Sequence, residues 1–137
     1  MNRSEARAAA LKLIYEKRMG GAGGTDTREG LLEIPPKEGN ADYMEKLFEG
    51  VCDNEAKIDE IISSYLRSGW KLERLSQVDL IVLEIAVYEL AAGELPGAVV
   101  INEAIELAGK YSNPDICPFI NGILANIFRS ERLKDGL

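Results

Sequence analysis

The 137-residue sequence predicts an all-α protein, an orthogonal bundle of about seven helices counting the short ones. Three observations predict it. Apolar residues recur at helical spacing through most of the chain. Ala, Leu, Ile and Glu are abundant while Val and Thr are sparse, and no alternating strand pattern of useful length occurs.

From Ser4 to Met19 the residues Ala6, Ala9, Ala10, Leu13 and Ile14 keep helical spacing without glycine or proline, and Ser4 is the expected N-cap. Arg3, Arg7, Leu11, Tyr15 and Arg18 follow at steps of four, four, four and three, which predicts three guanidinium groups and one ring along a single side. Arginines beside an aromatic suit single-stranded RNA, with charge for the phosphates and a ring for the bases. They are also ordinary on a solvated helix. Gly20-Gly-Ala-Gly-Gly24 stops the helix, and the stretch to Asn40, with Gly30, Pro35, Pro36 and Gly39, reads as a flexible connector. No Gly-Lys-Ser/Thr follows the glycines, so the stretch is not a phosphate-binding loop.

Beyond Asn40, Tyr43, Leu47, Phe48 and Val51 form one stripe, and Ile58, Ile61, Ile62, Tyr65 and Leu66 form the next. Asp53 or Asn54 is the expected cap between them, and Gly69 the expected stop. Trp70, Leu72 and Leu75 bridge to Ser76-Gln-Val-Asp79, which has capping-box spacing with Asp in place of Glu and opens a helix to about Ala92. Apolar on nearly every side, that helix is the expected centre of the fold. Glu84 and Glu89 inside it need ion-pair partners or a route to water. Pro96 starts the next helix, with Ile101, Ala104, Ile105 and Ala108 inward and Asn102, Glu103, Glu106 and Lys110 facing elsewhere. The last helix sets Phe119, Ile120, Ile123, Leu124, Ile127 and Phe128 on one face, with the small surface of Asn121, Gly122 and Ala125 opposite.

Composition narrows the chemistry. The sequence has no histidine and only two cysteines, Cys52 and Cys117, so imidazole acid/base work, Cys-His nucleophiles and multi-Cys/His zinc sites lack their parts. No catalytic residue, metal site or cofactor is expected. The cysteines are expected as reduced, buried thiols. Met1-Asn-Arg-Ser-Glu-Ala-Arg7 has no apolar run behind it and is not read as a signal peptide, and a cytoplasmic location is expected. The net charge of −7 is uneven: residues 1–20 carry +3, which leaves −10 on the other 117. An acidic body suits a basic partner, whereas a basic leading helix suits a nucleic-acid backbone.

Arg74-Leu-Ser-Gln-Val-Asp79, Ala86-Val-Tyr-Glu-Leu90, Val100-Ile-Asn-Glu-Ala-Ile-Glu-Leu-Ala108 and Phe119-Ile-Asn-Gly-Ile-Leu124, in that order, resemble the NusB family of bacterial transcription antitermination factors. Arg3, Ala6-Arg7 and Ala10-Leu-Lys-Leu-Ile-Tyr15 fit the family's first helix. The resemblance implies one domain over residues 1–137 built as two small packed bundles, an N-terminal subdomain 1–68 with the connector 20–40 and a C-terminal subdomain 69–137. It implies a non-enzymatic role: pairing with NusE, a protein of the small ribosomal subunit, and gripping single-stranded boxA RNA of ribosomal operon leaders within an RNA polymerase antitermination complex. Carried across by position, the RNA surface involves Arg3, Arg7 and Phe119, and the NusE surface Tyr15, Asp79 and Asp115. Asn102, Glu106 and Asn121 enter as contact residues or structural hydrogen-bonders, and the same surface suits a homodimer.

Three departures from the family pattern fall on the expected RNA side. Only Arg3 and Arg7 precede the body of the first helix, Asp115-Ile-Cys-Pro-Phe119 lacks the usual hydroxyl and cation, and Gly97-Ala98 replaces a Tyr-Lys pair. A second reading is therefore a diverged module that works through protein contacts with weak or no RNA binding. A third is an RNA-recognition domain related to those of rRNA methyltransferases, which requires a methyl-donor domain beyond Leu137.

Overall fold

Among residues 2–20 and 40–137, which the computed structural model describes, helical periodicity becomes six α-helices: α1 (Arg3–Arg18), α2 (Asn40–Asp53), α3 (Glu55–Ser64), α4 (Gln77–Ala92), α5 (Gly97–Tyr111) and α6 (Cys117–Arg129). Short 3-10 turns at Leu72–Arg74 and Pro114–Ile116 lead into α4 and α6. No strand occurs among the described residues, as the all-α expectation requires. The interior of the connector read over 20–40 lies outside the described residues. No helix among the described residues is long and apolar enough to cross a membrane.

The helix expected at the centre is there. All five other helices pack on α4, and its residues from Asp79 to Val87 are buried without a break. Side chains such as Ile81, Leu83 and Ile85 leave water almost completely, each contributing about 1.5–3 kcal/mol. The Ser76 hydroxyl caps α4 by accepting the Asp79 N–H at 3.1 Å. Gly93 ends the helix in the left-handed region at φ 68°, which a residue with a Cβ adopts only at a cost. Ser76→Ala is expected to lower the unfolding free energy by about 1 kcal/mol, read as a lower denaturant midpoint at unchanged slope.

Local details correct several sequence expectations. Asn2, not Ser4, caps α1: Asn2 Oδ1 accepts the Glu5 N–H at 2.7 Å and Glu5 Oε1 accepts the Asn2 N–H at 3.0 Å. Only Asn2 has a glutamate three residues on, which the reciprocal capping box needs. Ser4 is the second residue of α1, and its hydroxyl donates to Glu103 at 2.9 Å. Asn54 stands at the N-cap position of α3, but its side chain donates back to the Gly50 carbonyl at 2.8 Å instead of capping. The helix stops at Ser64, before Gly69, whose φ of 88° serves a later turn. In α5 the buried stripe is Val100, Ala104, Leu107 and Ala108, while Ile101 and Ile105 are only half-buried. Phe128 of α6 is half-exposed, with its ring lying against α5 at Gly97, where a Cβ would come within 2.5 Å of it.

Candidate nucleic-acid and partner interface

The two acidic residues in apolar α4 are answered by arginines of α1. Arg7 Nε and Nη2 donate to Glu89 Oε1 and Oε2 at 2.7 and 2.9 Å, and the Tyr43 hydroxyl of α2 donates to Glu89 Oε2 at 2.5 Å. Arg7 Nη1 also lies 3.5 Å from Glu103 of α5. One helical stretch on, Arg18 Nη1 and Nη2 donate to Glu84 at 2.7 and 2.9 Å, and Nη2 reaches Glu55 of α3 at 2.7 Å. These forked contacts occupy both oxygens of each carboxyl group, so neither buried glutamate is left with unsatisfied acceptors.

The row of outward guanidiniums expected on α1 is thereby corrected. Arg3 is exposed, 4.5 Å from the centre of the Tyr43 ring, but Arg7 is 4% exposed and Arg18 is turned onto α4. The physical reason is that a glutamate buried in an apolar helix draws a counter-charge from whichever neighbour can supply it. Burial opposes the Arg7 charge, and the hydrogen bond and field of Glu89 outweigh it, so its pKa rises. Burial, helped by the hydrogen bond to Glu89, pushes Tyr43 up to about 12 and keeps it a donor. Burial and a hydrogen bond shared with Asp59 push Glu84 up to about 8, with Arg18 pulling the other way. Glu55, Asp59 and Glu84 bring carboxylate oxygens within 4.8 Å of one another, and the cation beside them is the Arg18 guanidinium.

These contacts also set the helix directions. Arg7 against Glu89 and Arg18 against Glu84 make α1 antiparallel to α4. Ser4 against Glu103 and Lys12 over the Tyr111 ring at 5.3 Å make α1 parallel to α5. The end of α1, the start of α4, the end of α5 and the start of α6 therefore meet at one end of the bundle. Tyr15, Asp79, Asp115 and Phe119 all belong to that end, while Arg3 and Arg7 lie toward the other, with about 18 Å of helix between Arg3 and Tyr15.

At the shared end the side chains differ in what they offer. Tyr15 is 42% exposed. Asp79 is buried and its Oδ1 has no hydrogen-bond partner. Asp115 is exposed, its N–H donating to Asn113 Oδ1 at 3.0 Å, and Phe119 is half-buried against Trp70. Glu106 lines a cleft of about 270 Å³ between α1 and α5 together with Ser4, Arg7 and Glu103. Asn102, Glu106 and Asn121 are exposed, and none makes a side-chain hydrogen bond among the described residues.

A model of the NusB family matches residues 4–129. The chain belongs to the NusB family. Its relatives include the transcription antitermination protein NusB of Listeria monocytogenes serotype 4a (strain HCC23), 41% identical over 93% of this chain and 96% of the relative. The NusB of Clostridium botulinum (strain Kyoto / Type A2) is 36% identical over 93% of this chain and 99% of the relative. Among solved structures, T. maritima NusB aligns with a TM-score of 0.78 at 33% identity, covering 94% of this chain and 92% of that one. A structure of the antitermination factors NusB and NusE in complex with dsRNA shares the fold, with a TM-score of 0.79 at 23% identity over 93% of this chain and 96% of that one.

Within this NusB-type frame, sequence reasoning missed the role of the segment between α3 and α4. Trp70 is 47% exposed and its ring packs on Phe119 with centroids 5.8 Å apart. The signal was present in Arg67-Ser-Gly-Trp-Lys-Leu-Glu-Arg74, a run with three cations and one anion in an acidic chain, but periodicity reads Trp70 only as a bridge.

Proposed function

We propose that the chain is a transcription antitermination factor that pairs with NusE and, with it, holds single-stranded boxA RNA of ribosomal operon leaders in the RNA polymerase antitermination complex, in the cytoplasm. It binds and does not catalyse. Arg3 and Phe119 serve the RNA and Tyr15, Asp79 and Asp115 serve NusE, while Arg7 positions α1 from inside.

The observation that carries the NusE side of this reading is the Asp79 carboxylate. A buried acceptor without a partner costs about 1–3 kcal/mol, and a donor brought by another protein removes that cost on docking. The net charge of −7 on the whole chain attracts a basic partner at long range. The expected result is therefore split. Asp79→Ala leaves the unfolding free energy of the isolated chain within about 1 kcal/mol, yet weakens NusE binding at least ~10-fold by calorimetric titration. Equal affinity of the variant and the unaltered protein for NusE would remove Asp79 from the interface, and absence of NusE binding at micromolar concentration would sink the reading.

A further inference from the structure

We propose that Trp70 and Phe119 form a stacking platform for unpaired RNA bases, flanked by Arg67, Lys71 and Arg74 as phosphate contacts. The proposal rests on the RNA-binding reading and gives it a second contact region, far along the bundle from Arg3.

The local backbone builds the platform. Gly69, at φ 88°, turns the chain after α3, and the Trp70 N–H donates to the Arg67 carbonyl at 2.9 Å. The Arg74 N–H donates to the Lys71 carbonyl at 3.0 Å, which closes the 3-10 turn that follows. Two tight turns thus hold one indole and three cations in eight residues. Trp70 leans on Phe119 at an interplanar angle of 40°, so the two rings fix each other and lose little freedom when a base arrives. Nearly half of the indole surface still faces solvent.

The charges decide the kind of ligand. Arg67, Lys71 and Arg74 are exposed and form no ion pair among the described residues, unlike Arg7, Arg18 and Lys46. Only Glu73 opposes them within the segment. Three free cations within four residues of an exposed indole make a local patch that attracts a polyanion with flat faces. Single-stranded nucleic acid has both properties, and stacking tolerates any base.

Trp70 is the sole tryptophan, so its emission reports on this site alone. The test titrates the full chain, with and without NusE, using a fluorescently labelled boxA RNA, following tryptophan emission and RNA anisotropy together. Stacking is expected to quench Trp70 emission in step with the anisotropy rise. Trp70→Ala weakens binding about 5- to 150-fold, whereas Trp70→Phe retains most of it. Arg67→Ala with Lys71→Ala and Arg74→Ala lowers the slope of log affinity against log salt by about 2. Circular dichroism of each variant reports retention of the helical fold.

Anisotropy that rises while Trp70 emission stays constant and Trp70→Ala binds normally would overturn the platform and leave the RNA reading intact. No RNA binding with NusE present would overturn both. Quenching by NusE alone, unchanged when RNA follows, would reassign the surface to protein contact and overturn the proposal.

Discussion

Replacing Arg7 with alanine is expected to destabilise the protein by about 3–5 kcal/mol, because it leaves the Glu89 carboxylate buried with only the Tyr43 hydroxyl as a donor. The loss appears in chemical denaturation as a lower midpoint at unchanged slope. Arg7→Ala combined with Glu89→Leu is expected to recover much of it, since an apolar pair of similar volume needs no counter-charge. A residue whose main work was to hold a phosphate would behave otherwise: its removal would weaken RNA binding and leave the midpoint alone. The double variant separates the two roles, because it restores the fold without restoring the cation.

The second large effect is a loss of stability with rising pH. Glu84 is fully buried, and its pKa stands at about 8 through burial and the hydrogen bond shared with Asp59. The native state therefore holds this proton across a range where the unfolded chain has released it. Its stabilisation is fully present below the ordinary carboxylate range and is lost as pH rises through about 8. Between those limits the slope approaches about 1.4 kcal/mol per pH unit. Glu84→Gln keeps the shape, removes the proton, and is expected to flatten that slope in denaturation curves recorded across the window. An unchanged slope in the variant would place the pH dependence on other groups.

Much of this arrangement is legible in the sequence because it follows from spacing. Ser76-Gln-Val-Asp79 marks the start of α4, continuous apolar character marks its central place, and Glu84 and Glu89 announce their need for partners. What spacing does not give is the direction in which a helix face points. Arg3, Arg7 and Arg18 do share a side of α1, but that side turns inward beyond Arg3, and only the position of Glu89 and Glu84 across the interface decides this. Trp70 is hidden for a related reason: it lies outside any periodic element, and its partner Phe119 is 49 residues away in sequence. Asp79 shows the opposite case. Its place as the third residue of a capped helix is plain from the sequence, while its unpaired oxygen is visible only once the neighbours are in place.

The two Arg–Glu pairs also determine how α1 is registered on the bundle. Arg7 and Arg18 are eleven residues apart, three turns of helix with a remainder of only about 20°, so both forks meet α4 at one rotational setting. Sliding α1 by a single turn, about 5.4 Å, would strand both carboxylates at once. Small apolar side chains such as Ala6, Ala9 and Ala10 would accept several such settings, as interchangeable teeth on a rack do. The charges leave one. The helix that presents Arg3 at one end and Tyr15 at the other is thereby held at a single axial position, and the distance between those two groups becomes a fixed gauge against which any longer ligand must match its own repeat.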